Sequence, residues 1–369
     1  MENKKPLLPP NKWLHLPLEL HEKIFALLPI AAITRCRAVC HTWRSILLSP
    51  PFLQHWARIA APIPWFLMFR DHKFRAYSPA LGTWHDIPAV NPSDHALDLT
   101  CIVASAGGLL FLSSQKKKKG SPPLLLVCNP LTKSCRILPG LSRITLIYVM
   151  GMMESGWNSY KILVAGVASS SSQELITEIY DSASGGWECQ SSARLDAFQD
   201  FSGMRAVWSD GFFYCLSVPP YKLVAYDMGK RSWITLDHAQ QLPALAIPNL
   251  ASASLLVCRG RLVMAAKITG AAASKRVRIW EFDAQSCHWK DATANSDPVL
   301  QEFCKCVSYF MALQRPRGLD SVCFNSWCRW RTLMYDVSQK KWHWLPEHCG
   351  RFKDMLSGLT YEPTFLARA

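Results

Sequence analysis

Residues 180–187 read Tyr-Asp-Ser-Ala-Ser-Gly-Gly-Trp: two large aromatics seven positions apart across a polar turn. Asp181 can bond back to the chain and open a turn, and the small residues after it keep the turn polar. The octet therefore predicts two antiparallel strands around one hairpin. The same spacing recurs at Tyr77/Trp84, Tyr226/Trp233, Phe282/Trp289 and Tyr335/Trp342, and Cys128/Cys135 fills the slot in the run 128–135. Asp follows the first aromatic in four of the pairs (Asp181, Asp227, Asp283, Asp336), while Asn129-Pro130 and Ser78-Pro79 take its place in the others.

The second members fall at positions 84, 135, 187, 233, 289 and 342, at intervals of 46 to 56 residues. A period near fifty, with a few short strands per unit, resembles the blade of a kelch-type β-propeller, in which each sheet covers its apolar face with its neighbour. Six markers predict six blades. Glycines stand before several strand-like runs: Gly107-Gly108, Gly211, Gly260 and, a little further upstream, Gly318. Kelch repeats usually carry a double glycine there, so the resemblance, over residues 62–369, is to a degenerate kelch propeller. A propeller must close its ring. The strand-like run Gly358–Leu366 has no marker of its own and is predicted to complete the first blade, whose N-terminal part, Trp65–Pro88, is short. The repeated Tyr and Trp residues are expected to pack between blades, not to cage a ligand.

Working outward to the N-terminal side, the periodicity changes from strand-like to helical. Leu20, Ile24, Leu27 and Leu28 fall at i, i+4, i+7 and i+8 and predict one apolar stripe on a first helix. Pro17 suits the first helical position, Glu19 and Glu22 complement the positive end of the helix dipole, and Pro29 disfavours continuation. A second apolar set, Ile33, Cys36, Cys40, Trp43 and Leu47, follows at helical spacing until Pro50 and Pro51 close the region. A further helix is expected over Phe52–Ala61, with Phe52, Trp56 and Ile59 facing inward. So small a helical unit buries little surface alone, and an apolar face left over would seek a partner.

Leu16-Pro17, Glu19-Leu20, Ile24, Leu27-Leu28-Pro29, Ile33, Arg35-Cys36-Arg37, Val39-Cys40 and Trp43-Arg44 stand in the order and spacing of an F-box, and the segment resembles that family. The resemblance implies docking on a Skp-type adaptor, which in turn binds a cullin scaffold of a ubiquitin ligase. Carried over by position, it makes Leu16, Pro17, Leu20, Ile24, Leu28, Pro29 and Val39 adaptor contacts, with Cys36, Cys40 and Trp43 as alternatives for the unit's own core. His21 and His41 are expected on helix surfaces. An F-box joined to kelch repeats is typical of a large plant family. The organisation expected is a flexible N-terminus over 1–11, a small all-α F-box module with a linker helix over 12–61, and an all-β six-bladed kelch-type propeller over 62–369.

Composition narrows the function. Of 369 residues, 49% are hydrophobic and 18% charged, which suits a globular chain with a sizeable core. Met1–Pro10 does not read as a secretory signal, and the longest apolar stretches are short or broken, so a soluble protein of cytoplasm or nucleus, with no membrane contact, is expected. Fourteen scattered cysteines then read mostly as reduced core thiols, and no paired Cys-x-x-Cys or His-Glu-x-x-His signals zinc. A formal charge of +14 favours acidic partners in general, but its basic residues are dispersed and no nucleic-acid module accompanies them. Lys116–Lys119, Ser169–Ser172 and Gly270–Lys275 read as exposed loops, the first with a nuclear-import signal or an acidic-substrate contact as its alternatives. Gly-x-Ser-x-Gly, P-loop and Gly-x-Gly-x-x-Gly are absent, and the ligands of a copper radical oxidase, which some kelch propellers are, cannot be assigned. The expected activity is non-enzymatic and needs no cofactor: the F-box binds the adaptor and the propeller holds a protein target for ubiquitination. A Skp-binding scaffold without cullin and a propeller enzyme are the alternatives.

Overall fold

The structure, a computed structural model, describes residues 16–59, 63–70, 73–87, 99–114, 123–194, 204–216, 223–236, 250–258, 260–269, 275–283, 288–292, 297–306, 310–313, 321–326, 332–347 and 357–369. The segment 1–11, Lys116–Lys119, most of the loop 270–275 and Gly318 lie outside them. The chain forms two compact units, divided between residues 62 and 63.

The first unit is four short helices: α1 (Leu18–Ala26), α2 (Ile30–Cys36), α3 (His41–Leu48) and α4 (Pro50–Ile59). Its core is Phe25, Ala26, Ile30, Ala31, Ile33, Ile46, Leu47, Phe52 and Trp56, with Phe25 edge-on to both Trp43 and Phe52. Four expectations change here, the simplest being that Ile59 faces outward at the end of α4 while Phe52 and Trp56 face inward. The set from Ile33 to Leu47 is divided between α2 and α3, because Cys40 is extended at φ −155° and ψ 166° and its Sγ accepts the Trp43 amide as a cap. Pro50 and Pro51 do not end the helical region but begin α4, where a missing amide proton costs nothing and the Ser49 hydroxyl accepts the Phe52 amide. His21 is buried against Phe25, not on the surface.

The second unit is six antiparallel sheets in sequence order. The first contains β1 (Trp65–Arg70), β2 (Lys73–Ser78) and β3 (Thr83–Ile87), and the second β4 (Leu99–Ala106), β5 (Leu109–Ser114), β6 (Leu124–Asn129) and β7 (Ser134–Ile137). The third is β8 (Leu146–Gly156), β9 (Ser159–Val167), β10 (Glu174–Asp181) and β11 (Gly186–Arg194), with the short β12 (Met204–Arg205) alongside β8 in parallel. Then come β13 (Val207–Ser209), β14 (Phe212–Leu216), β15 (Leu223–Asp227) and β16 (Ser232–Thr235), followed by β17 (Leu250–Cys258), β18 (Arg261–Thr269), β19 (Lys275–Asp283) and β20 (His288–Asp291). A helix, α5 (Pro298–Cys306), precedes the last sheet, β21 (Phe310–Leu313), β22 (Ser321–Ser326), β23 (Thr332–Asp336) and β24 (Lys341–Trp344).

The ring closes where the sequence places the closure. β25 (Ser357–Tyr361) pairs antiparallel with β1 and becomes the innermost strand of the first blade. The strand is shorter than the run that signalled it. Residues 362–369 leave the sheet and lie against the second blade, with Phe365 and Ala367 buried.

All six marker pairs are direct cross-strand partners at one register, from Tyr77↔Trp84 to Tyr335↔Trp342, and Cys128↔Cys135 takes the same place. The aromatic pairs have ring centroids 4.4–5.4 Å apart. Each of these contacts contributes about 1 kcal/mol beyond simple burial. The indoles also join blades: Trp84 Nε1 donates to Pro346 O at 2.8 Å, Trp187 Nε1 to Pro139 O at 2.9 Å and Trp233 Nε1 to the Thr177 hydroxyl at 2.8 Å. Shared cores run from the second blade through to the sixth and from the sixth back to the first, where Phe66 and Tyr77 meet Cys323 and Leu345.

Of the two exceptions to the Asp rule, Ser78 and Asn129, the second has a structural reason. Asp227 Oδ1 accepts the amides of Gly229 and Lys230, and that is all its turn requires. Asn129 Oδ1 accepts the Leu131 amide and the Tyr361 hydroxyl, and its Nδ2 also donates to the carbonyls of Thr364 and Ala367, both at 2.9 Å. A carboxylate has no proton for those two carbonyls. Gly108 completes the latch: a Cβ there would run into Thr364 Cγ2. Asn129→Asp is accordingly expected to cost about 2–4 kcal/mol by setting a buried charge against two carbonyls. Asp227→Asn, which keeps its acceptor, is expected to cost under about 1 kcal/mol. Urea unfolding of the two variants beside the wild type measures both.

Candidate docking faces

Large apolar side chains are exposed mainly on the helical unit. Six of the ten found among the described residues, Leu18, Leu20, Leu27, Val39, Leu48 and Ile59, belong to its four helices and their connections. The α1 stripe read from the sequence is the outer one: Leu20 is 42% exposed and Leu27 78%, while the buried positions of α1 are His21, Phe25 and Ala26. Helical periodicity places residues on a common face without saying whether that face meets the unit's own core or a partner.

The residues assigned to adaptor binding divide by exposure. Pro17, Leu20, Pro29 and Val39 are exposed, and Leu16, Ile24 and Leu28 are half-buried. Pro17 and Pro29 precede α1 and α2, where their carbonyls accept the amides of Leu20 and His21, and of Ala32 and Ile33. They fix the start of each helix and so the angle at which the leucines project. Val39, 63% exposed, stands in the break between α2 and α3. Leu18 and Leu48 share this exposed apolar character but lie off the stripe of Leu20, so helical spacing does not mark them. Of the alternatives for the core, Trp43 and Cys36 are half-buried and Cys40 is exposed. Partial burial pushes the Cys36 thiol up against the pull of Arg35, and it pushes the Arg37 guanidinium down, aided by the charge of Arg44.

The two ends of the propeller differ. At one end the connections between third and fourth strands are four residues long in every blade, and those between first and second strands are two residues long in the second to fifth blades. β1 begins and β25 finishes at this end. The other end carries the longer connections between second and third strands in the second to sixth blades and those between successive blades, the usual place for recognition on a rigid scaffold. One part of that end is described in full. Glu178 in β10, 0% exposed, accepts the amides of Ser142, Arg143 and Ile144 at 2.8–3.3 Å, and Thr145 bonds to the carbonyls of Val167 and Ala168. The buried carboxylate thereby fixes residues 142–145 beside the serine loop 169–172 and leaves Ser142 and Arg143 exposed.

Among the described residues no three or more His, Cys, Asp or Glu side chains are grouped to hold a metal. No helix among them is long and apolar enough to cross a membrane.

Comparison with known proteins supports this arrangement. The family described as F-box domain matches residues 13–55. F-box only protein 6 of Arabidopsis thaliana is 29% identical over 292 residues, 76% of this chain, and the chain spans 58% of that relative's length. An F-box/kelch-repeat protein of the same plant is 25% identical over 352 residues, covering 92% of this chain and 83% of its own. Among solved structures, a chain from the crystal structure of a nidogen/laminin complex has a TM-score of 0.50 at 11% identity, covering 81% of this chain and 98% of that one, a likeness of fold alone.

If the outward leucines of the helical unit serve docking and not packing, Leu20→Ala, Leu27→Ala and Val39→Ala each change stability by no more than about 0.5 kcal/mol. Ile33→Ala and Leu47→Ala, both at fully buried positions, are expected to cost about 2–5 kcal/mol. Chemical unfolding of the five variants separates the two sets.

Proposed function

We propose that this chain, an F-box protein of plant type with a kelch-type propeller, is the substrate-recognition subunit of a Skp–cullin–F-box ubiquitin ligase. The observation that carries the reading is the exposure of Leu18, Leu20, Leu27 and Val39 on the segment that matches an F-box. Apolar surface of this kind on so small a unit is costly unless another protein covers it. The reading assigns adaptor contacts to Leu16, Pro17, Leu20, Ile24, Leu28, Pro29 and Val39, and cytoplasm or nucleus as the place of action.

The mechanism is proximity. The F-box fixes the chain in the assembly, the propeller holds a target, and the target's lysines gain a high effective concentration near the charged conjugating enzyme. No residue of this chain does covalent chemistry in that scheme, and no cofactor is required. The long-connection end of the propeller, including the loop anchored by Glu178, takes the target. The net charge of +14 favours an acidic or phosphorylated protein there.

Affinity purification of the wild type beside a Leu16→Ala/Pro17→Ala double variant, with mass spectrometry of the bound proteins, tests the reading. Skp adaptor and cullin are expected with the wild type and lost from the variant, while propeller-bound proteins remain with both. Adaptor without cullin would favour a Skp-binding scaffold, and a folded wild type that captures neither would refute the assignment.

A further inference from the structure

We propose that Cys128 and Cys135 form an oxidative modification site, a dithiol that closes to a disulfide under a peroxide-class oxidant and tightens the latch on the C-terminal tail. In every other blade the corresponding slot holds an aromatic pair. Here it holds two cysteines that are direct cross-strand partners, with Cα atoms 4.1 Å apart and the sulfurs bonded to each other. So short a Cα separation marks the kind of antiparallel pair that shares no backbone hydrogen bonds, where facing side chains come closest. The four-residue turn between β6 and β7 holds the two sulfurs opposite one another in either oxidation state, so bond formation is intramolecular between groups already in contact. Cys36, Cys40, Cys189 and Cys215 are free thiols, and among the described residues Cys128 and Cys135 are the cysteines that face each other across one hairpin.

The two thiols are unequal. Cys128 is 1% exposed, while Cys135 is half-buried on the outermost strand and flanked in sequence by the exposed cations Lys133 and Arg136. The thiolate is the reactive form, and the more exposed of the two sulfurs meets an oxidant first. The Cys135 thiolate attacks a peroxide oxygen, the O–O bond breaks, and a sulfenic acid forms with release of water. The Cys128 sulfur then displaces the sulfenic hydroxyl, which leaves as a second water after taking up a proton. Two thiols lose two electrons in all, one peroxide gains them, and a dithiol reductant reverses the step.

The consequence follows from the next residue. Asn129 holds the tail through Thr364 and Ala367, so a cross-link at Cys128 restrains the side chain that ties the tail to the second blade. The test uses the full chain, purified reduced, treated with hydrogen peroxide, blocked with N-ethylmaleimide and digested with trypsin, which cuts after Lys133 between the two cysteines. Residues 120–133 are expected joined to residues 134–136 by a bond that dithiothreitol cleaves. The thermal midpoint of the oxidised protein should lie on the order of 5 °C above that of the reduced one. Recovery of both peptides as alkylated thiols when exposed Cys189 is oxidised, or Cys128 bonded to another cysteine, would overturn the site. A joined pair with an unchanged midpoint would overturn its effect on the latch.

Discussion

The pairing of β25 with β1 is the constraint on which the rest of this structure depends. Six sheets that each cover one apolar face with the next leave two raw edges until the last residues of the chain return to the first blade. Cores then run between blades around the ring, and the first blade joins the sixth through Phe66, Tyr77, Cys323 and Leu345. The tail beyond β25 extends the closure to the second blade through Asn129, Tyr361 and the space kept open by Gly108. Closure between the extremes of a long segment is entropically costly.

A closed ring has a functional use. The tight turns at one end are set by Asx-type caps and by the marker pairs, which leaves little room for variation. The longer connections at the other end hang from strands whose positions the ring fixes, so they can differ without disturbing the core. Glu178 shows how one of them is made rigid: a buried carboxylate satisfied by three amides orders residues 142–144 and leaves the Ser142 and Arg143 side chains outward. The helical unit has the opposite character, with a small core and several leucines left outside it.

Most of the propeller was legible because its signals are local. A turn-opening Asp, Asn or Ser between residues seven apart fixes a hairpin, and its recurrence fixes the number of blades. The signals that failed were those with more than one physical reading. Leu20, Ile24 and Leu27 make a good amphipathic stripe, yet His21, Phe25 and Ala26 make the core, since periodicity does not reveal which face a neighbour covers. Pro50-Pro51 reads equally well as an end or a beginning of a helix. Helix α5 was within reach: Asp297 caps the Val299 amide, Pro298 stands at the first position, and Val299, Leu300 and Phe303 share one face. Its shortness among strands concealed it. The role of Asn129 was beyond local reading, because its partners lie more than 230 residues away.

Hydrogen exchange of the intact chain, followed by mass spectrometry on peptides, addresses the ring closure most directly. The amides of residues 65–70, and those of residues 357–361 that bond to β1, should exchange only through global opening, with the same protection as the central strands β9 and β10. Exchange of residues 357–361 orders of magnitude faster than those strands, with the remaining sheets still protected, would show that the blades stand without the closing strand and would contradict the account.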